Sequence, residues 1–318
     1  MCKITITTKT YNREHLLPRA VESVLNQTFT DFEYIILNNG STDNTQSIID
    51  HYCKLDARVR SLSFPVNIRH SDPDRKKEIW DLYNESAKYL IRIDDDDFME
   101  PNTVETLYRL ITEYDADIAS VGSKFVYPDG STKDKFVFEG TYVFNRIEAM
   151  VEMLKREKFN TSMGGKIFRK EVQKNITVPK VEVTRDIYSG YRKLNNIKRM
   201  VVTGTPLYYF YRHENNLSGL DTAEQITPEK MRQHLDANKI RTEWLTEHMP
   251  EIKDFVLYCE LSFMISLYER IHRLDVQSCF GIAKEMKEIL VNHKSFLFKC
   301  EFLTEKEKEI VYFMQIER

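Results

Sequence analysis

Residues 3 to 121 alternate between short apolar strand patterns and longer helical patterns, and this alternation constrains the fold more than any other feature of the sequence. A strand–helix–strand order predicts a mostly parallel sheet with right-handed crossovers and helices on both faces. In such sheets, ligands bind outside the carboxyl ends of the strands. The predicted strands are residues 3–7, 33–37, 59–63, 89–93 and 118–121, and the predicted helices are 16–25, 41–52, 74–88 and one that begins at Pro101.

Beyond this first part of the chain the pattern becomes mixed and then helical. Residues 127–130 (Tyr-Pro-Asp-Gly) predict a hairpin turn between two strands, and 201–202 and 207–211 read as short strands. In the last quarter of the chain, apolar residues recur at helical spacing. We therefore predict two domains, an α/β domain over residues 1–225 and a helical extension over 226–318.

The composition excludes several classes of protein. A net charge of −3 over 318 residues gives no overall basic field, so we expect no nucleic-acid partner. The start of the chain has no basic segment followed by an apolar core, which predicts no signal peptide. The longest apolar-rich stretch, residues 255–268, contains Glu260 and is shorter than the roughly 20 residues that span a bilayer. The five cysteines form no CxxC pair, so we expect reduced thiols in a cytoplasmic protein, with or without attachment to the inner face of the membrane.

The sharpest chemical signal is the run of four aspartates, Asp94 to Asp97, that ends the predicted strand 89–93. Adjacent carboxylates repel one another and lose solvation when buried, so such a run is unusual without a cationic ligand. Mg²⁺ and Mn²⁺ prefer oxygen ligands and are commonly held by one or two carboxylates together with phosphate oxygens. The run therefore predicts a divalent-metal site, with an acidic turn that caps the next helix as the alternative.

Two further polar segments follow the first two predicted strands. Thr10-Tyr11-Asn12-Arg13 comes after the first strand, and residues 38–43 (Asn-Asn-Gly-Ser-Thr-Asp) come after the second. Each segment alone is typical of ordinary turn chemistry. Because the carboxyl ends of parallel strands meet at one edge of the sheet, both segments are expected beside the aspartate run, where a nucleotide would lie.

Taken together and in this order, these segments are similar to those of family 2 glycosyltransferases with a GT-A fold. The resemblance covers about residues 3–220 and leaves the helical extension outside. It implies a GT-A, Rossmann-like, mostly parallel sheet flanked by helices, with a C-terminal helical subdomain in addition. The matching segments are Thr10-Tyr11-Asn12-Arg13, Ser23-Val24-Leu25-Asn26-Gln27-Thr28-Phe29, Leu37-Asn38-Asn39-Gly40-Ser41-Thr42-Asp43, Asp94-Asp95-Asp96-Asp97, Gly165-Lys166-Ile167-Phe168-Arg169-Lys170, and Tyr209-Phe210-Tyr211-Arg212-His213 with Asn216-Leu217-Ser218.

The resemblance implies how the nucleotide of a nucleotide-sugar donor would be bound. Thr10 and Tyr11 would line the nucleobase pocket, with Tyr11 stacking on the base. Asn12 and Arg13 belong to the same donor-binding segment. Asn39 would accept a hydrogen bond from the base, although the family usually has aspartate there and at the preceding position. Since an asparagine oxygen can still accept from uracil N3–H, we expect a UDP-linked sugar.

The resemblance also implies which residues contact the ribose, the diphosphate and the metal. Asp94 and Asp95 would face the ribose and the nucleotide. Asp96 would ligate Mn²⁺ or Mg²⁺ on the diphosphate, and His213 is a candidate further ligand of the metal or the phosphate. The family's Arg-Asn segment before the acidic strand is missing, so we expect Arg75, with the two lysines that follow it, to contact phosphate; a solvated helix start is the alternative.

An inverting transfer needs a carboxylate that takes the acceptor proton while the metal stabilises the departing diphosphate. The family places an acid pair before a helix downstream of the sheet. The best match is Asp186, with Arg185 where the first acid normally stands. Glu182 is the rival base, and a helix-capping role for Asp186 remains open.

The resulting prediction is an inverting, metal-dependent glycosyltransferase that acts on a hydroxyl of a glycan, a lipid-linked glycan or a protein, as in bacterial polysaccharide biosynthesis. A nucleotidyltransferase is disfavoured because its Gly-rich phosphate loop is missing near the N-terminus. A degenerate module that binds nucleotide sugars without chemistry remains the alternative. The helical extension is expected to serve the acceptor, a partner, a membrane surface or a homodimer.

Overall fold

The computed structural model of the chain describes residues 2–68, 72–83, 85–174, 176–179, 181, 184–213, 220 and 222–316. The chain divides into two compact units. One comprises Met1–Glu182 with Ser189–Asn215, and the other Val183–Tyr188 with Asn216–Arg318. The predicted domain boundary at residue 225 stays a prediction.

The first unit contains one mixed sheet, built mainly from parallel strands. The strands lie in the order β3-β2-β1-β4-β9-β6-β10-β5, with β7 added beside β6 and β8 beside β10. The strands β3, β2, β1, β4, β6 and β10 run in one direction, whereas β9, β5, β7 and β8 are antiparallel to their neighbours. The strands are β1 Ile4–Thr10, β2 Phe32–Asn38, β3 Val59–Ser63, β4 Tyr89–Arg92, β5 Phe98–Met99, β6 Ile118–Val126, β7 Thr132–Asp134, β8 Thr141–Asn145, β9 Lys166–Arg169 and β10 Arg199–Tyr211.

Helices connect the parallel strands, as the alternating sequence pattern predicts. Every residue of β2 is buried, and α1 buries its apolar stripe, because parallel strands and their crossover helices share the core. The predicted α/β fold class is confirmed. The helices of this part of the chain are α1 Leu17–Leu25, α2 Thr45–Leu55, α3 Pro73–Leu82, α4 Thr103–Glu113, α5 Arg146–Lys155 and α6 Arg185–Asn195.

Two predicted helices have different bounds in the structure. The helix predicted over 74–88 ends at Leu82, where Tyr83 takes an extended conformation with ψ 137°. The helix predicted to begin at Pro101 begins at Thr103. The Pro101 carbonyl instead accepts a hydrogen bond from the backbone of Thr28, which holds this proline outside the helix.

The two short strands predicted at 201–202 and 207–211 are parts of one long strand, β10. Its pairing with β6 is interrupted on both sides of Pro206, since proline cannot donate to the ladder. Gly204 lies in this irregular stretch, and a Cβ there would fall 2.0 Å from the carbonyl oxygen of Phe138. Only glycine allows the chains to approach this closely.

The second unit is helical, as predicted for the C-terminal part of the chain. In the described part of the chain, no helix combines the length and the apolar character that a bilayer-spanning segment needs. The helices are α7 Pro228–His248, α8 Lys253–Arg273, α9 Phe280–Asn292, α10 Lys294–Leu297 and α11 Glu305–Ile316. The core of this unit contains mostly aliphatic and methionine side chains, which come from all of these helices, α7 to α11.

Glu307 fixes the start of α11 against α8. Its carboxylate accepts hydrogen bonds from the backbone of Thr304 at 2.9 Å, from Ser262 at 2.5 Å and from Tyr258 at 3.1 Å. Although burial alone would raise the pKa of Glu307, these hydrogen bonds lower it on balance. We expect Glu307→Ala to lower the free energy of unfolding by about 2 kcal/mol, measured by chemical denaturation.

The matched control is Glu305→Ala, because Glu305 lies in the same helical turn but is exposed and, among the described residues, forms an ion pair with Lys308 alone. We expect a change below about 0.5 kcal/mol for this variant. A depressed pKa stabilises the fold above the unfolded pKa of about 4.3, so the effect of Glu307→Ala should fade as the pH drops below that value. Equal losses for the two variants would show that Glu307 does not fix α11.

Candidate functional site

The turns after β1 and β2 are hydrogen-bonded to each other at the carboxyl edge of the sheet. Asn12 adopts a left-handed conformation (φ 51°). Its backbone N–H donates to the Ser41 hydroxyl at 3.0 Å, and its side-chain oxygen accepts from the backbone of Thr42 at 2.8 Å. The backbone of Arg13 donates to Thr45 Oγ1 at 2.9 Å. The structure therefore brings together the first two predicted binding segments.

Tyr11 directly precedes Asn12 in this turn, and its side chain is partly exposed. Among the described residues it makes no ring contact and no side-chain hydrogen bond. Thr10, by contrast, is buried at the end of β1, where its carbonyl accepts from the backbone of Asn39 at 2.9 Å. The ring of Tyr11 is thus open to a ligand, and its stacking on a base stays a prediction.

The two asparagines after β2 have different environments. Asn38 shapes the turn, because its oxygen accepts from the backbone of Ser41 at 2.9 Å and its amide nitrogen donates to Gln46 at 2.6 Å. The side chain of Asn39 is directed toward Arg75, whose Nη1 donates to the Asn39 oxygen at 2.7 Å. The Asn39 nitrogen donates to Asn67 Oδ1 and to the carbonyl of Ile68. These partners fix the orientation of the Asn39 amide.

Arg75 lies in the first turn of α3, and its side chain contacts the turn after β2 through Asn39. Its Nη2 donates to the carbonyl of Val66 at 2.8 Å, and its guanidinium lies 4.3 Å from the centre of the Phe64 ring. Its predicted phosphate contact stays a prediction. The two lysines that follow have other partners, since Lys76 donates to the carbonyl of Ile176 and exposed Lys77 donates to Asp81.

The loop after β4 carries the four aspartates, and the first two contact arginines. Asp94 lies 3.4 Å from Arg92, and Asp95 lies 3.7 Å from the Nε of Arg13. Burial, followed by the charge of Asp96, raises the pKa of Asp95 to about 7, against opposing contributions from Thr10 and Arg13. A cation near this carboxyl group would stabilise its ionised form.

The side chains of Asp96 and His213, the two predicted metal ligands, lie in contact. Asp96 Oδ2 lies 3.0 Å from His213 Nε2, and the two side chains are only 16% and 13% exposed. The backbone carbonyl of Asp96 accepts from Arg19 at 2.7 Å, and the Arg19 guanidinium lies 4.1 Å from the Tyr211 ring centre. The position of this loop is thus fixed through its backbone.

Asp97 has a structural role that the sequence did not reveal. It is 3% exposed, and its carboxyl accepts from the Tyr208 hydroxyl at 2.7 Å and from the backbone of Tyr211 at 3.0 Å. Burial, followed by the charges of Asp94 and Asp96, raises its pKa well above the ordinary value. Asp97 therefore ties the acidic loop to β10. No motif marks Tyr208 as its partner, so sequence reasoning missed this residue.

Comparison with known proteins identifies the family. Residues 5–177 match the model of Glycosyl transferase family 2. The chain belongs to this family.

Two relatives of this family 2 protein are the glycosyltransferases GlyA and GlyG of Streptococcus pneumoniae. The chain is 25% identical to GlyA over 225 residues, which are 68% of this chain and 31% of GlyA. It is 29% identical to GlyG over 163 residues, which are 50% of this chain and 52% of GlyG. The chain therefore matches about a third to a half of the length of these curated relatives.

Solved structures show the same fold. Residues 1–349 of S. aureus TarS, crystallised with UDP-GlcNAc, superimpose with a TM-score of 0.64 at 16% identity, over 99% of this chain and 87% of that one. The mannosyltransferase PcManGT from Pyrobaculum calidifontis, with GDP-Man and Mn²⁺, gives a TM-score of 0.52 at 9% identity, over 98% and 84%. At these identities the likeness establishes the GT-A fold of the family 2 chain.

The residues of the family 2 site suit a hard divalent cation that shares ligands with a donor. Among the described residues no three histidine, cysteine or acidic side chains form a metal-binding group. A carboxylate oxygen of Asp96 and a ring nitrogen of His213 nevertheless lie together and largely buried. Mg²⁺ and Mn²⁺ commonly take only one or two carboxylates and complete their shell with phosphate and water. This pair fits that pattern.

The predicted base of the family 2 chain belongs to the second compact unit. Asp186 lies in the first turn of α6, and its side chain is exposed. It has no hydrogen bond or ion pair to any residue in the described ranges. A carboxylate in a first helical turn is stabilised by the helix dipole, so a purely structural role stays open. The rival Glu182 lies outside the described residues, as do residues 216–218.

Proposed function

We propose that this chain is an inverting glycosyltransferase that moves a sugar from a nucleoside diphosphate, UDP in the first instance, to a hydroxyl group. One observation carries the proposal. The turns after β1 and β2 and the acidic loop after β4 converge at one edge of the sheet, with the Arg13 side chain 3.7 Å from Asp95. In open α/β sheets this edge is the ligand site.

The base and the ribose would occupy the side of this edge that β1 and β2 form. Tyr11 would stack on the base, since its ring has no partner in the described part of the chain. The Asn39 oxygen accepts from Arg75 at 2.7 Å and from the backbone of Ile68 at 3.4 Å. Uracil N3–H would take the place of the longer Ile68 bond and share this oxygen with Arg75. Asp94 and Asp95 would accept hydrogen bonds from the ribose hydroxyls.

The sugar transfer would be a single displacement. The acceptor oxygen forms a bond to the anomeric carbon, the bond from that carbon to the phosphate oxygen breaks, and the diphosphate leaves with the electron pair. Asp186 takes the proton of the acceptor hydroxyl as general base. A divalent cation held by Asp96 and His213 would supply charge stabilisation to the departing diphosphate.

The acceptor is a hydroxyl of a glycan, a lipid-linked glycan or a protein. We propose that the helical extension binds the acceptor or a partner protein. Large apolar side chains remain exposed on α11, among them Tyr312 and Phe313. Peripheral membrane attachment and a homodimer stay predictions.

Slow donor hydrolysis tests the proposed function without knowledge of the acceptor. The protein is incubated with UDP-, GDP-, CDP- and dTDP-sugars in Mn²⁺, and release of the nucleoside diphosphate is measured. Hydrolysis of one donor that stops in EDTA supports an active transferase. Tight nucleotide binding without any hydrolysis or transfer would favour the degenerate binding module.

Asn39→Ala tests the assignment of the base pocket. It removes the acceptor for uracil N3–H and one of the hydrogen bonds of Arg75, so we expect the Kd for UDP to rise about tenfold, equivalent to roughly 1.4 kcal/mol. Calorimetry with UDP measures this change. Asn38→Ala is the matched control, since the Asn38 side chain is hydrogen-bonded to Ser41 in its own turn and to Gln46 in α2. A larger effect at Asn38 than at Asn39 would contradict the assignment.

A further inference from the structure

A group of aromatic rings and cations lies at the carboxyl ends of β6 and β10. We call it the Phe125 cluster and define it as Phe125, Phe136, Phe210, Lys135 and Arg212. The Lys135 amine lies 3.5, 4.9 and 5.1 Å from the ring centres of Phe210, Phe125 and Phe136. The Arg212 guanidinium lies 4.4 Å from the centre of Phe125. Phe125 therefore contacts two cations.

No carboxylate in the described part of the chain pairs with either cation of the Phe125 cluster. The acidic neighbour of Lys135 in sequence, Asp134, lies 3.3 Å from Lys124. The attraction of a cation to an aromatic face offsets only part of the hydration free energy that the cation loses on burial. Burial, followed by the charges of Lys166 and Arg212, lowers the pKa of Lys135 to about 7, against an opposing contribution from the Asp97 carboxylate. The Asp97 carboxylate offsets these cations only in part, since Arg156 adds to them. Positive charge therefore predominates around Lys135.

The Phe125 cluster is partly exposed, apart from buried Phe136, and lies on the same edge of the sheet as the proposed donor site. Lys135, Arg212, Phe125 and Phe210 are all partly exposed. The strands β6 and β10 run parallel to each other, and through antiparallel β9 they run in the direction of β4 and β1. The carboxyl ends of all these strands therefore lie together. A ligand at the cluster would approach the site from the side of β6 and β10, whereas the nucleotide segments follow β1 and β2.

We propose that the Phe125 cluster binds a phosphate ester of the acceptor. This inference rests on the proposed transferase function and names the chemical class of its acceptor. An arginine guanidinium binds phosphate through two parallel hydrogen bonds, and a lysine beside it adds a point charge. A phosphate group also restores the charge of Lys135, because a nearby anion favours the protonated amine. The phosphate belongs either to a polyol phosphate chain or to a lipid carrier, which share this chemistry.

Calorimetry with two simple phosphate esters tests the proposal. Glycerol 3-phosphate represents the polyol source, and farnesyl phosphate in neutral detergent micelles represents the lipid source. Both are titrated in EDTA, so that a metal-bound phosphate does not contribute. We expect Lys135→Met and Arg212→Gln each to weaken binding by at least about tenfold, and Arg212→Lys to retain more affinity than Arg212→Gln.

Lys3→Met is the matched control, since the Lys3 amine also lies over a ring, 5.5 Å from that of Tyr108, but at the amino end of β1. Its affinity for both esters should equal that of the unmodified protein. Tighter binding of one ester assigns the phosphate to that source, and equal binding assigns the contacts to the phosphate alone. Acetylation of Lys135, followed by peptide mass spectrometry, should slow when either ester is present.

Three results would overturn the inference. The first is that the unmodified protein binds neither ester, and the second is that the cluster variants bind the esters as tightly as the unmodified protein does. The third is that UDP with Mn²⁺ displaces the ester, which would assign the two cations to donor binding. Binding of UDP is measured separately on each variant. Its absence from the unmodified protein counts against the proposed transferase function, while the ester titrations still decide the phosphate site.

Discussion

Asp96→Asn is expected to lower kcat/KM for sugar transfer by about 1,000-fold or more, equivalent to roughly 4 kcal/mol of transition-state stabilisation. Asparagine keeps the shape of the side chain and can still bond His213, but it loses the negative charge that a metal requires. The contact that fixes this loop is made by the Asp96 backbone to Arg19, so the substitution leaves it in place. Steady-state kinetics with Mn²⁺ measure the loss.

Asp134→Asn is the control for this prediction, because Asp134 is an exposed aspartate whose partner is Lys124. Its kinetics should match those of the unmodified protein within about twofold. Thermal unfolding must show that Asp96→Asn remains folded. A folded Asp96→Asn protein with near-normal kcat/KM would remove Asp96 from the metal site.

Asp186→Asn is expected to lower kcat for transfer by about 100- to 10,000-fold and to leave the Kd for UDP unchanged. The carboxylate would act on the acceptor proton and not on the donor, so its loss should appear in kcat alone. Because Asp186 is exposed and has no partner among the described residues, the asparagine should not destabilise the fold. Transfer kinetics and UDP calorimetry measure the two quantities.

Glu182→Gln is compared with Asp186→Asn in the same assays, since both acids precede or begin α6. We expect Glu182→Gln to keep kcat within about tenfold of the unmodified protein. The opposite ranking would assign the base to Glu182. A loss of UDP binding in Asp186→Asn would indicate a structural role for this residue instead.

Much of the sheet could be predicted from the sequence because its parallel strands are short apolar runs bounded by turn residues. Strands β1 to β4 were found within a few residues, and the hairpin turn at 127–130 is confirmed by the bond from the backbone of Gly130 to the Tyr127 carbonyl at 2.9 Å. The two-residue strand β5 and the edge strand β8 were not predicted. Neither has enough residues on a buried face to give a period-2 signal.

The candidate site could be predicted where it depends on contiguous segments. The turn of Asn12 and the acidic run carry their chemistry in adjacent residues, and their meeting follows from parallel strands. The contact between Arg75 and Asn39 could not be predicted, because it depends on the path of the chain between β3 and α3. The same holds for Tyr208 and Asp97, which are 111 residues apart in sequence.

Calorimetric titration with UDP, in Mn²⁺ and in EDTA, tests the central claim most directly. The account predicts that UDP binds with Mn²⁺, that affinity falls in EDTA, and that Asp96→Ala loses the metal-dependent part while remaining folded. The account would be contradicted if the folded protein bound none of UDP, GDP, CDP and dTDP under any of these conditions, because a transferase needs this donor site.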